Sequence, residues 1–125
     1  MSHFTQIDIE IRDTEALRTA CDELGLTLKK NAEARGFGGN HRKGEYVIKL
    51  KGPYDIALNS RKDGIYKAET DLWEGHVENE LGPGMGRLKQ LYAVHKTTRE
   101  ARRKGYTVRR MDMPDRSIRL QVTAA

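Results

Sequence analysis

The chain has 125 residues, of which 37% are hydrophobic and 33% charged, with a net charge of +5 and one cysteine. That length suits a single domain over residues 1–125, and the hydrophobic fraction is too high for a disordered chain. One cysteine excludes an internal disulfide, no apolar run nears the ~20 residues that span a bilayer, and the opening lacks the basic and apolar regions of a signal peptide, so a cytoplasmic protein with no membrane partner is expected.

Residues 3–12 alternate, with Ile7, Ile9 and Ile11 on one side and Asp8, Glu10 and Arg12 on the other. Period two predicts a strand with one buried face. Asp13 or Thr14 can cap a helix whose stripe is Leu17, Ala20, Cys21 and Leu24, ended by Gly25. Cys21 lies on that stripe and reads as a small core residue. Leu26-Thr27-Leu28 predicts a short strand, and residues 31–40, with three glycines, predict an exposed loop. Strands follow at 45–50 and 54–58. Lys62-Asp63-Gly64 predicts a tight hairpin turn of the primed type, with a returning strand at 65–73. Residues 74–81 read as an irregular acidic connection.

A second helix is predicted over 87–104. Its apolar stripe is Leu88, Leu91, Tyr92 and His95, with Val94, Thr98 and Ala101 displaced to one side. Two strands, 106–111 and 117–122, close the chain around Pro114-Asp115. The order β-α-β-β-β-β-α-β-β, dominated by local hairpins, predicts an α+β fold. It would hold a mainly antiparallel sheet of six to seven strands with two helices on one face.

Charge is segregated. Residues 85–104 hold seven basic side chains and one acid, so the remainder of the chain sums to −1. Residues 69–81 hold five acids and no base, and the two blocks could pair within the fold.

Several motifs now stand together. They are Met1-Ser2-His3-Phe4-Thr5 before the isoleucine strand, Arg35-Gly36-Phe37-Gly38-Gly39, Tyr54-Asp55-Ile56 and Trp73. Leu88-x-Gln90-x-Tyr92-Ala93-x-x-Lys96 and Ala101-Arg102-x-x-Gly105-Tyr106 complete the set. With these, the chain resembles the hypothetical chloroplast reading frame thirty-five family, a domain of unknown function found in cyanobacteria, algal plastids and other bacteria. The resemblance assigns no catalytic residue. It implies a component of an assembly, because genes of that family often neighbour those of AAA-type ATPases and of another small uncharacterised protein.

Two surfaces are candidate sites. Arg35, Gly36, Phe37, Gly38 and Gly39 form a loop whose arginine and aromatic ring suit a protein partner. The first four match an RNA-recognition signature, which then fails at Gly39 and Arg42. The second surface is cationic: Arg87, Lys89, Lys96, Arg99, Arg102, Arg103, Arg109 and Arg110 could follow a nucleic-acid backbone. Gly82, Gly84 and Gly86 ahead of the second helix could cradle an anion with Arg87 and Lys89, although the dinucleotide and Walker patterns are incomplete.

His3, His41, His76 and His95 are scattered, and no serine or cysteine has an activating neighbour, so no metal, cofactor or catalytic residue is expected. The leading expectation is a non-catalytic adaptor or subunit with a protein partner, an AAA-type ATPase or another small protein. A nucleic-acid-binding module is the alternative, and a small enzyme with an unrecognised site is the third reading.

Overall fold

The computed structural model describes residues 3–124; Met1, Ser2 and Ala125, including the first two residues of the opening motif, lie outside the described residues. Alternating and helical patterns give β1 (Phe4–Ile11), α1 (Thr14–Leu24), β2 (Thr27–Arg35), β3 (His41–Lys49), β4 (Ile56–Ser60) and β5 (Tyr66–Asp71). Then come α2 (His76–Leu81), α3 (Gly86–Arg103), β6 (Tyr106–Asp112) and β7 (Ile118–Ala124). The fold is α+β, but the strands divide. Five form one antiparallel sheet in the order β1-β5-β4-β3-β2, and β6 and β7 form a separate two-stranded sheet.

One face of the large sheet, with Ile7, Ile11, Ile48, Ile56 and Leu58, packs with Leu17, Leu88 and Leu91 of α1 and α3, all 4% exposed or less. Burying a side chain of this size stabilises the fold by about 1.5–3 kcal/mol. The stripe of α3 is buried at Leu88, Leu91, Tyr92, Val94 and Ala101, as its spacing predicts. Asp13 caps α1, its Oδ1 accepting from Ala16 N at 3.0 Å. Tyr92 ties α3 to the same corner: its hydroxyl oxygen accepts from Arg12 N and Asp13 N at 2.9 and 3.1 Å.

Four local expectations are corrected. Residues 31–35 belong to β2 rather than to a loop, and β3 begins at His41. The acidic connection contains α2, whose Val77 and Leu81 sit one helical turn apart and are both buried. Trp73 lies beyond β5, at the start of a single helical turn. The turn after β4 is not primed. Gly64 N donates to Arg61 O, and only Gly64, at φ +78°, takes the left-handed conformation there. The β6–β7 turn repeats this geometry with Arg116, at φ +70°, in the glycine's place.

The β2–β3 hairpin is bent back on itself. Leu28 pairs with Ile48, which pairs with Ile56. A straight strand would carry Arg35 roughly 23 Å from that row. Instead Asp55 N donates to Arg35 O at 3.0 Å, so the hairpin doubles across the sheet face opposite the helices.

Two residues permit the bend. Asn31 takes φ +49°, and Gly44 passes so close to its neighbours that a Cβ there would lie 2.4 Å from Tyr46 O. Asn59 supports it from β4, accepting from Glu45 N at 3.0 Å and donating to Lys43 O at 2.9 Å. Under the returned hairpin, Ala34, Val47 and Ala57 form a small second core flanked by Phe4 and Ala32.

Candidate functional site

The bend delivers the hairpin tip to the ends of β4 and β5, where two carboxylates are fully buried, Asp55 and Asp71. Asp55 follows the turn at Gly52-Pro53, and its carboxylate collects donors from three directions. Arg35 gives its backbone N–H and Nε to Oδ2 at 3.0 and 2.8 Å, and Nη2 to Oδ1 at 2.8 Å. Leu50 N reaches Oδ1 at 3.0 Å, and Lys49 Nζ reaches Oδ2 at 3.3 Å. Burial pushes the Asp55 carboxyl up, but the Arg35 and Leu50 hydrogen bonds outweigh it and hold the group below its ordinary range. Arg35 is thus spent inside the fold, its Nη2 also reaching the carbonyls of Leu50 and Gly52.

Asp71 organises the other side of the tip. Its Oδ2 accepts from Phe37 N at 2.8 Å and its Oδ1 from Trp73 N at 2.9 Å. One buried carboxylate therefore fixes the backbone of two aromatic residues that are 36 positions apart in the chain. Their rings lie 5.2 Å apart, and His3 completes the group at 4.9 Å from Phe37 and 5.3 Å from Trp73.

Gly36 makes the approach possible, since a Cβ there would sit 2.5 Å from Phe4 Cε2. Gly38 and Gly39, at φ +65° and +80°, close the turn with open space around them. Arg42 stands at the start of β3, its guanidinium 5.4 Å from the Phe4 ring centroid and 3.6 Å from Glu69. The result is a rigid tip with bare aromatic rings: Phe37 is 40% and Trp73 44% exposed.

The cationic surface is less available than the sequence suggests. Arg99 Nε donates to Asp13 Oδ2 at 3.0 Å, joining α3 to the cap of α1, and Arg103 lies 4.0 Å from the same oxygen. Lys96 pairs with Glu100, and Arg87 donates to Gln90. Arg110 grips both oxygens of Glu23, at 2.9 and 2.8 Å, and also pairs with Asp112. Those bonds from Arg110, with His95 Nε2 at 2.8 Å from the same carboxylate, lower Glu23 to about 2.

Lys89 is half-buried, Arg102 and Arg109 are exposed, and none of the three has a polar partner among the described residues. The acidic block does not pair with these cations. Glu69 meets Arg42, Glu80 accepts from the N–H groups of Lys51 and Gly52, and Glu78 accepts from Gly84 N at 2.7 Å. That last bond places a carboxylate of the chain itself at the glycine turn that could have cradled an anion.

Comparison with known proteins meets this geometry at a family level. A family model, Protein of unknown function (DUF1257), matches residues 20–120. The chain belongs to this family. One relative is the uncharacterized protein ycf35 of Pyropia yezoensis, 29% identical over 125 residues, covering 98% of this chain and 96% of the relative. No solved structure matches.

The matched span contains the hairpin, both buried aspartates and Trp73. Sequence reasoning placed the Arg35–Gly39 turn among the candidates but missed Asp55, Asp71 and Trp73 as its anchors and neighbour. Asp55 and Trp73 stand within the motifs that carry the family resemblance, and that was the signal available for them.

Proposed function

We propose that the protein is a non-catalytic adaptor that engages a protein partner through the aromatic tip of the bent hairpin. The observation that carries this reading is the single carboxylate of Asp71 holding Phe37 and Trp73 side by side in solvent. Burying a carboxylate is costly, and here its hydrogen bonds hold exposed rings in place. Aromatic side chains fixed in position lose little entropy on docking and dominate interface energetics. A rigid exposed pair therefore suits recognition of an apolar or aromatic surface on another protein. The family resemblance suggests an assembly containing an AAA-type ATPase or a second small protein as the setting.

The nucleic-acid reading draws less support, because Lys96, Arg99 and Arg110 are engaged by carboxylates of the same fold. Arg99 also secures the start of α1, so reversing it would disturb folding as well as charge.

The test is purification of the tagged protein from its own cells, with partners quantified by mass spectrometry. Phe37→Ala combined with Trp73→Ala should remove the partner at least about tenfold, the loss of one hot spot or more. Arg102→Glu combined with Arg109→Glu should leave it. Equal recovery with the wild type and the aromatic double variant, or no stable partner at any salt concentration, would overturn the proposal.

A further inference from the structure

The two-stranded sheet carries the other exposed large hydrophobic residues, Tyr106 at 41% and Val122 at 45%. Both lie on one face of the hairpin, which also presents Val108, Leu120 and Ile118. The end near the turn is anchored. Ile118 packs against the main core, Arg110 is gripped by Glu23 of α1, and Arg116 O accepts from Gln90 of α3 at 2.8 Å. The far end, with Tyr106, Val122 and Ala124, extends into solvent as two strands alone. Two strands without further cover are marginal in water, and among the described residues each has a free edge.

The edges differ in what they can accept. Met113 N donates to Ser117 O at 2.9 Å, which sets the alternation of the ladder. Arg119, Gln121 and Thr123 of β7 therefore bond toward β6, while the backbone groups of Ile118, Leu120, Val122 and Ala124 point outward. We infer that this free edge of β7 pairs antiparallel with β7 of a second copy, about a two-fold axis at Gln121.

That register pairs all seven residues of β7 and uses every outward backbone group. Leu120 would face Val122 of the second copy and Ile118 would face Ala124, so the apolar strip runs on from one copy to the other. Arg119, the single charged residue of β7, would face Thr123. The β6 edge is unsuitable. The corresponding pairing would set Arg109 against Arg109, and like charges directly opposed are destabilising. The contact is isologous and closes, giving a dimer with a four-stranded sheet rather than a fibre.

This inference goes beyond the adaptor reading and uses different residues, so the two can fail separately. Sedimentation equilibrium of the full chain should show a species of twice 14.2 kDa that dissociates on dilution. Val122→Pro removes an outward N–H and leaves the β6 ladder whole, so it should yield monomer with an unchanged circular dichroism spectrum.

A cross-linking arm does not depend on that variant folding. In the proposed register Gln121 and its copy form a non-hydrogen-bonded pair with Cα atoms about 4.5 Å apart, within disulfide reach. Under mild oxidation Gln121→Cys should become a covalent dimer. Thr123→Cys, whose copies would lie roughly 13 Å apart, should stay monomeric on reducing-agent-free gels. A monomer up to about 1 mM, a dimer that survives Val122→Pro, or equal cross-linking at both positions overturns the inference.

Discussion

Arg35 and Asp55 stand 20 positions apart and share four hydrogen bonds, three from Arg35 into the carboxylate and one from Asp55 N to Arg35 O. This pair is the reason the hairpin returns to the sheet. Removing one partner leaves the other stranded, and the two removals are not equivalent.

Arg35→Ala leaves Asp55 fully buried with Lys49 as its remaining cation at 3.3 Å. The Arg35 side chain is 43% exposed, so losing its charge-assisted hydrogen bonds to the buried carboxylate costs about 1.5–3 kcal/mol. Lys49→Ala leaves the Arg35 bonds in place and should cost far less. Urea unfolding of the two variants checks the order, which would be reversed if Lys49 were the principal counterion.

The bend makes its own demand on sequence. Gly44→Ala places a methyl group against the Tyr46 carbonyl and 2.9 Å from Val47 Cγ2, so backbone must move. Overpacking of this kind costs about 1–3 kcal/mol. Gly38→Ala meets no neighbour and strains only its φ of +65°, so it should cost less. Thermal unfolding of the two variants measures the difference.

Acid should loosen the protein through Glu23 and Asp55. Both groups have folded-state values below their ordinary ones, so each stabilises fully above its ordinary range and loses that contribution as pH falls through the folded value. For Glu23 the window runs from 4.5 down to about 2. Stability should fall across it, and Glu23→Gln should flatten the fall. An unchanged pH slope in that variant would show that the Arg110 grip contributes nothing to folding.

Cys21 should be inert in the folded protein. It is fully buried, and burial pushes its thiol up to about 12, so little thiolate forms at neutral pH. An aromatic disulfide reagent should label it only after denaturant is added. Fast labelling of the native protein would contradict the packing of α1.

What could be read from the residues follows their periodicity. The stripes of α1 and α3 and the alternation of β1 predicted an α+β fold, because burial imposes those periods directly. The bend could not be read in this way. It depends on Asn31 adopting a positive φ and on a close approach at Gly44, neither of which disturbs the alternation around it. The anchors were hidden for a similar reason. Asp71 at the end of β5 and Asp55 one residue ahead of β4 sit in the outward phase of the alternation, where acids ordinarily meet water, and they are buried because a distant hairpin lands on them. Likewise α2 shows one buried pair, Val77 and Leu81, which is too short a run to mark a helix among acids.

Amide hydrogen exchange at the tip tests the central claim most directly, because a neighbouring residue provides the control. The N–H groups of Phe37 and Trp73, held by Asp71, should exchange orders of magnitude more slowly than that of Gly38, which has no acceptor among the described residues. Asp71→Asn should abolish the protection of at least one of them. If all three exchange at the rate of an open loop in the wild-type protein, the glycine turn is not locked and its rings are not presented in a fixed arrangement.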